Sequence, residues 1–80
     1  MQVTVISPER TVFEGAADAL VAPAFDGLVG ILPGHAPFLT LLGEGRVRVR
    51  RGGEEQDFGV AGGFLQVTGD AVRIVADRVT

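Results

Sequence analysis

Few side chains in this 80-residue sequence could carry out chemistry. His35 is the only histidine and there is no cysteine, whereas a zinc or copper centre needs several nitrogen or sulfur ligands converging on one point. Ser7 is the only serine, and it precedes Pro8 with no base beside it, so no nucleophile–base pair is available. Glu54, Glu55 and Asp57 lack the loop spacing of a calcium or magnesium site. Gly27-Leu28-Val29-Gly30 and Gly59-Val60-Ala61-Gly62-Gly63 lack a Gly-Lys-Ser/Thr ending and a following helix that could hold a phosphate, so they read as tight turns and close backbone packing. Arg46, Arg48, Arg50 and Arg51 could suggest nucleic acid. The net charge is −3, however, acids follow within a few residues, and no aromatic interleaves with the arginines. The sequence therefore predicts no metal, no cofactor and no catalytic role. What remains is a rigid module with shaped loops, suited to an interaction protein.

The elements that must position those loops are strands. Twelve glycines and four prolines interrupt runs rich in Val, Ile, Leu, Phe and Thr, which leaves no room for a helix. Gln2 to Ser7 predicts a first strand, with Val3 and Val5 on one face, Ile6 on the other, and Pro8 closing it. Arg10 to Glu14 predicts a second. Gly15 invites a bulge or bend, Ala16 to Ala22 resumes, and Pro23 ends that run. Phe25-Asp26-Gly27 reads as a turn.

Two hairpins have a register that the turn fixes. Gly52-Gly53 sets Arg51 opposite Glu54, Arg50 opposite Glu55, Arg48 opposite Asp57 and Val47 opposite Phe58, so that the charges form cross-strand pairs. Gly69-Asp70 suits a type II′ turn pairing Val67 with Val72 and Leu65 with Ile74 on the buried face, with Gln66 and Arg73 on the other. Strands every 7–10 residues in one domain, residues 1–80, predict an all-β fold: a small single-domain β-sandwich or flattened barrel of short, mostly antiparallel strands. A chain this short buries only about 60–65% of its unfolded surface, so the core is thin. No apolar run reaches membrane-spanning length and no signal-peptide pattern opens the chain, which predicts a soluble, unexported protein.

One stretch organises the rest: Gly27-Leu28-Val29-Gly30-Ile31-Leu32-Pro33-Gly34-His35-Ala36-Pro37-Phe38-Leu39-Thr40. Pro33 and Gly34 fit the two central positions of a type II turn. Pro37 holds Ala36 extended and removes a backbone donor, which places the segment at a sheet edge or crossing. Two rigid corners fix where His35 and Phe38 point.

This stretch resembles the signature of the epsilon subunit of F-type ATP synthases (delta in mitochondria). The resemblance begins at Val5-Ile6-Ser7-Pro8-Glu9-Arg10 and continues through Phe13-Glu14-Gly15, Gly62-Gly63-Phe64-Leu65 and Val75-Ala76-Asp77, covering essentially the whole chain in order. It implies a central-stalk subunit in which one side of a sandwich grips the gamma subunit and one end rests on the membrane rotor ring of c subunits. Such a subunit couples proton flow to ATP synthesis, with all nucleotide chemistry elsewhere in the complex. It also implies a peripheral position on the cytoplasmic face of the bacterial inner membrane. Asp26, Gly27, Leu28, Val29, Gly30 and Ile31 match the loop that meets the ring, and His35, Ala36 and Pro37 match the adjoining corner. Many relatives carry an acid where this chain has Leu28, which implies that residue 28 lies on a contact surface rather than in the core. Relatives continue into a C-terminal helical hairpin that carries an inhibitory arm and an ATP-binding motif. This sequence stops at Thr80, so the expectation is a sandwich without the hairpin. The alternative reading is a stand-alone sandwich binding a peptide or carbohydrate.

Overall fold

A computed structural model describes all 80 residues, Met1–Thr80. Eight strands and no helix make up the chain: β1 (Gln2–Ile6), β2 (Thr11–Ala16), β3 (Ala19–Ala24), β4 (Gly27–Ile31), β5 (Phe38–Leu41), β6 (Glu44–Arg51), β7 (Glu54–Thr68) and β8 (Ala71–Val79). Hydrogen-bonded neighbours run β2-β1-β8-β7-β6-β3-β4, with β5 joined to β7. Only β1 and β8 are parallel.

Strand β7 organises the architecture. It runs for 15 residues; its first half pairs with β6, and its second half pairs with β8 and β5. Between the halves lie Gly62 at φ 72° and Gly63 at φ 105°, conformations that L side chains rarely adopt. There is also no space at the second of these: a Cβ on Gly63 would drive into the Val75 carbonyl oxygen. The glycine cluster read as tight turns is thus a bend inside one strand, and it folds the sheet over itself. On the other side of β7, β5 and β6 keep one continuous register against it, interrupted only at Leu42 and Gly43. The Leu42 amide donates to the Gly63 carbonyl at 2.9 Å, so the two strands turn the corner together.

The two layers are therefore β2-β1-β8 with the second half of β7 and β5, and β4-β3-β6 with the first half of β7. Between them lies the core, in which Val3, Val5, Leu20, Ile31, Val47, Leu65, Val72 and Ile74 are the largest fully buried side chains. Alternation explains the pattern, since Val3 and Val5 face in while Ile6 is half-buried on the outside. The open side between β2 and the β6–β7 hairpin is closed by tilted Phe13 and Phe58 rings 6.1 Å apart and by Arg51, whose Nε donates to the Ala16 carbonyl at 2.9 Å.

Both hairpin registers stand as read, including Val47 opposite Phe58 and Leu65 opposite Ile74. Four local expectations are corrected. The bulge falls at Val12, where the register shifts between Val5 and Ile6, because Gly15 sits in the ladder opposite Val3 under the Arg51 side chain. The chain turns at Ala17 and Asp18 rather than running through them. Pro23 does not end β3; it pairs with Leu28 and keeps its place because no ladder bond needs its missing N–H. The arginine ladder is only partly ion-paired: Arg46 and Arg48 both approach Asp57, at 3.7 and 3.5 Å. Arg50 opposes Glu55 without an ion pair, since exposed long side chains gain little by holding one geometry.

Gly63→Ala is expected to cost more than about 3 kcal/mol, because it adds both a clash and a disfavoured φ. At Gly30 no atom lies within 4 Å of the place a Cβ would take, so Gly30→Ala should stay within about 1 kcal/mol of wild type. Urea unfolding of the two variants measures both, and equal effects would mean that the β7 bend does not depend on Gly63.

Candidate interaction site

The large apolar side chains left in solvent are Val21, Phe25, Leu28, Leu32, Leu39 and Leu41. They fall into two groups, and the strands explain each. The first group belongs to the β3–β4 hairpin. Phe25 and Asp26 form its two-residue tip, with Ala24 opposite Gly27. At and beside that tip Phe25 is 67% exposed and Leu28 76%, so Leu28 lies on the surface. Val29 is half-buried and packs on the core, and Gly30 is exposed. Ile31 is 1% exposed; as a core residue it leaves the set of contact residues that the resemblance implied.

His35, Ala36 and Pro37 occupy the β4–β5 connection. The Pro33-Gly34 corner forms as expected, with Gly34 at φ 87° and the His35 amide donating to the Leu32 carbonyl at 3.1 Å. His35 Nδ1 lies 2.7 Å from the Ala36 carbonyl oxygen. A carbonyl can only accept, so Nδ1 carries the proton and donates. The ring meets Phe38 edge-on at 5.7 Å, and both contacts fix the loop that leads into β5. This corner does not adjoin the Asp26 tip. Strand β4 separates the two, carrying the chain some 13 Å at roughly 3.3 Å per residue. No group of three potential metal ligands converges anywhere.

The second apolar group was not read from the sequence. Leu41 on β5 opposes Phe64 on β7, Phe64 opposes Val75 on β8, and Val75 opposes Ile6 on β1. Directly opposed residues share a face, and their neighbours Leu65, Ile74 and Val5 are fully buried, so this row lies on the outside of the sheet. A second row beside it runs Leu39, Gln66, Arg73, Thr4 and Glu14. Leu39, Thr40, Leu41, Phe64 and Gln66 line a shallow groove at its β5 margin. The signal was present in the sequence: Ile6 breaks the phase of Val3 and Val5, and Phe64-Leu65 sets two adjacent apolar residues on a strand, one of which must face out. Through its backbone the tip adjoins this face, because the Phe25 amide donates to the Leu41 carbonyl at 3.0 Å.

Residues 1–80 match the family described as ATP synthase, Delta/Epsilon chain, beta-sandwich domain. This chain belongs to that family. It is 49% identical over 80 residues to the ATP synthase epsilon chain of Chromohalobacter salexigens, covering 99% of this chain and 57% of that relative. It is 47% identical over 78 residues to the epsilon chain of Frankia casuarinae, covering 96% and 92%. The family member thus spans little more than half the length of the Chromohalobacter relative. The fold recurs in solved structures. A chain in the cryo-EM structure of the Tetrahymena thermophila mitochondrial ATP synthase central stalk and c-ring superposes with a TM-score of 0.84 at 19% identity, over 99% of this chain and 64% of that one. A chain of the Euglena gracilis mitochondrial ATP synthase superposes with a TM-score of 0.90 at 22% identity, over 98% and 51%.

Leu28→Glu in this epsilon-type domain is expected to leave stability within about 0.5 kcal/mol of wild type, as surface substitutions do. Chemical denaturation checks it; a loss above roughly 3 kcal/mol would place Leu28 inside the fold.

Proposed function

We propose that this chain is a non-catalytic subunit of the central stalk of an F-type ATP synthase, held between the gamma subunit and the c-subunit rotor ring. On this reading it sits peripherally at the cytoplasmic face of a bacterial inner membrane. The observation that carries the proposal is the division of exposed apolar surface between a sheet face and a hairpin tip on one rigid body. The row Leu41, Phe64, Val75 and Ile6 serves as the gamma-facing side, since it spans four strands and is apolar at its centre with polar groups beside it. The Asp26–Gly30 tip rests on the ring, where Phe25 and Leu28 supply apolar contact and Asp26 the single charge. The corner of His35, Ala36 and Pro37 leads straight into β5 and so borders the gamma side. Torque passes between partners through hydrogen-bonded strands with no linker, so rotation of one is not absorbed as bending in the domain.

The experiment is reconstitution with gamma and with membranes stripped of their epsilon subunit. Wild type should capture gamma and restore ATP-driven proton pumping. Leu41→Asp should weaken gamma capture at least about tenfold, about 1.4 kcal/mol, while its unfolding curve stays close to wild type. Leu28→Glu should leave gamma capture intact and change only the rebinding to membranes. No capture of gamma by the wild-type chain would overturn the proposal.

A further inference from the structure

Strand β4 ends its sheet and pairs with β3 alone. The direction of its free backbone groups follows from Pro23. The Pro23 carbonyl accepts from the Gly43 amide at 2.9 Å, on the side away from β4. Pro23 opposes Leu28, so that pair is of the type that exchanges no ladder bonds. Leu28, and Gly30 two residues on, therefore aim their N–H and C=O groups outward from the sheet edge. Protected edges carry charges, prolines or a covering group. Such protection is present on β2, which holds Glu14 and whose Ala16 carbonyl is occupied by Arg51. Between Gly27 and Leu32 there is no charge and no proline.

This edge is complementary to itself. Leu28 is a knob, 76% exposed. Gly30 is a notch, with no atom within 4 Å of where a Cβ would stand, and it shares one cavity with Val21 and Leu32, bordered by Arg48, Arg50 and Glu55. Antiparallel pairing of two β4 strands about a two-fold axis at Val29 sets Leu28 opposite Gly30 of the second copy, and Gly30 opposite its Leu28. The same register brings no charged residue of β4 against a like charge, because β4 has none. Of the six exposed large hydrophobics, Val21, Phe25, Leu28 and Leu32 lie on this hairpin or at its ends.

The geometry points to a second copy of this chain as the occupant of the β4 edge, in an isologous dimer. A single five-residue edge strand offers less contact than the roughly 1,200 Å² of stable pairs, so the dimer is weak and reversible. Dimerisation covers Leu28, which makes it exclusive with docking through the hairpin tip. The inference goes beyond the stalk reading and does not depend on it.

The test uses the absence of cysteine, so that an introduced thiol reports alone. Residue 29 faces itself across the two-fold axis in a pair of the closer kind, with Cα atoms about 4.5 Å apart and within disulfide reach. Leu28 faces position 30 and is out of register with its own copy. Under oxidation, Val29→Cys should form a covalent dimer at least tenfold faster than Leu28→Cys, although Leu28 is the more exposed site. In sedimentation equilibrium the wild-type mass should climb from monomer towards dimer as concentration rises into the millimolar range. Gly30→Leu fills the notch without touching the core and should hold the mass at monomer with an unchanged melting curve. A wild-type chain that stays monomeric throughout, or a Leu28→Cys that cross-links faster than Val29→Cys, would overturn the dimer whether or not gamma binds.

Discussion

The two-layer arrangement of this fold depends on the absence of a side chain at Gly63. With the Val75 carbonyl oxygen standing where a Cβ would be, only glycine lets β7 bend this close against its neighbour β8. From that bend follow the two layers and the enclosure of Leu65 and Ile74 at complete burial. An 80-residue chain without disulfides has little core to spare. One long strand serving both layers gives that core two walls from a single set of ladder bonds.

The hairpins at Gly52-Gly53 and Gly69-Asp70 were legible in the sequence because two-residue turns leave one register, and the alternation of Arg and Val, or of Leu65 and Val67, confirms it. The Pro33-Gly34 corner was legible for the same reason: each residue narrows the backbone to one region. The continuity of β7 was not. A run such as Gly59 to Gly63 permits a turn, a bulge or a bend equally well, and the choice is made by β8 and Leu42, which approach from elsewhere in the chain. Pro23 and Val12 were misplaced for a related reason, since the partner strand decides whether a missing donor or an extra residue is tolerated.

Of the candidate contact residues, Asp26 and Gly27 could be placed from turn chemistry, and Leu28 only through the resemblance. Ile31 could not be excluded that way, because its burial comes from the opposite layer. The outward row from Leu41 to Ile6 is assembled from four strands spread over 70 residues of sequence, and no local window contains it. Each segment shows only one apolar residue out of phase. The surface appears when the register lines those residues up.

The shared register of β5 and β6 on β7 also bears on how the chain acquires its structure. From the Gly52-Gly53 turn outward, each new pair in that ladder closes only a slightly larger loop than the last, so pairing can spread as a zipper. The parallel contact of β1 with β8 is the opposite case, since Gln2 meets Ala71 across nearly the whole chain. Nothing local helps it to form, and β2 is attached to the molecule through β1, the Arg51 contact and the Phe13–Phe58 ring pair. The amino-terminal hairpin is accordingly expected to dock last and open first. Its amides should exchange with solvent ahead of those between β6 and β7, through a sub-global opening that leaves the bent hairpin standing.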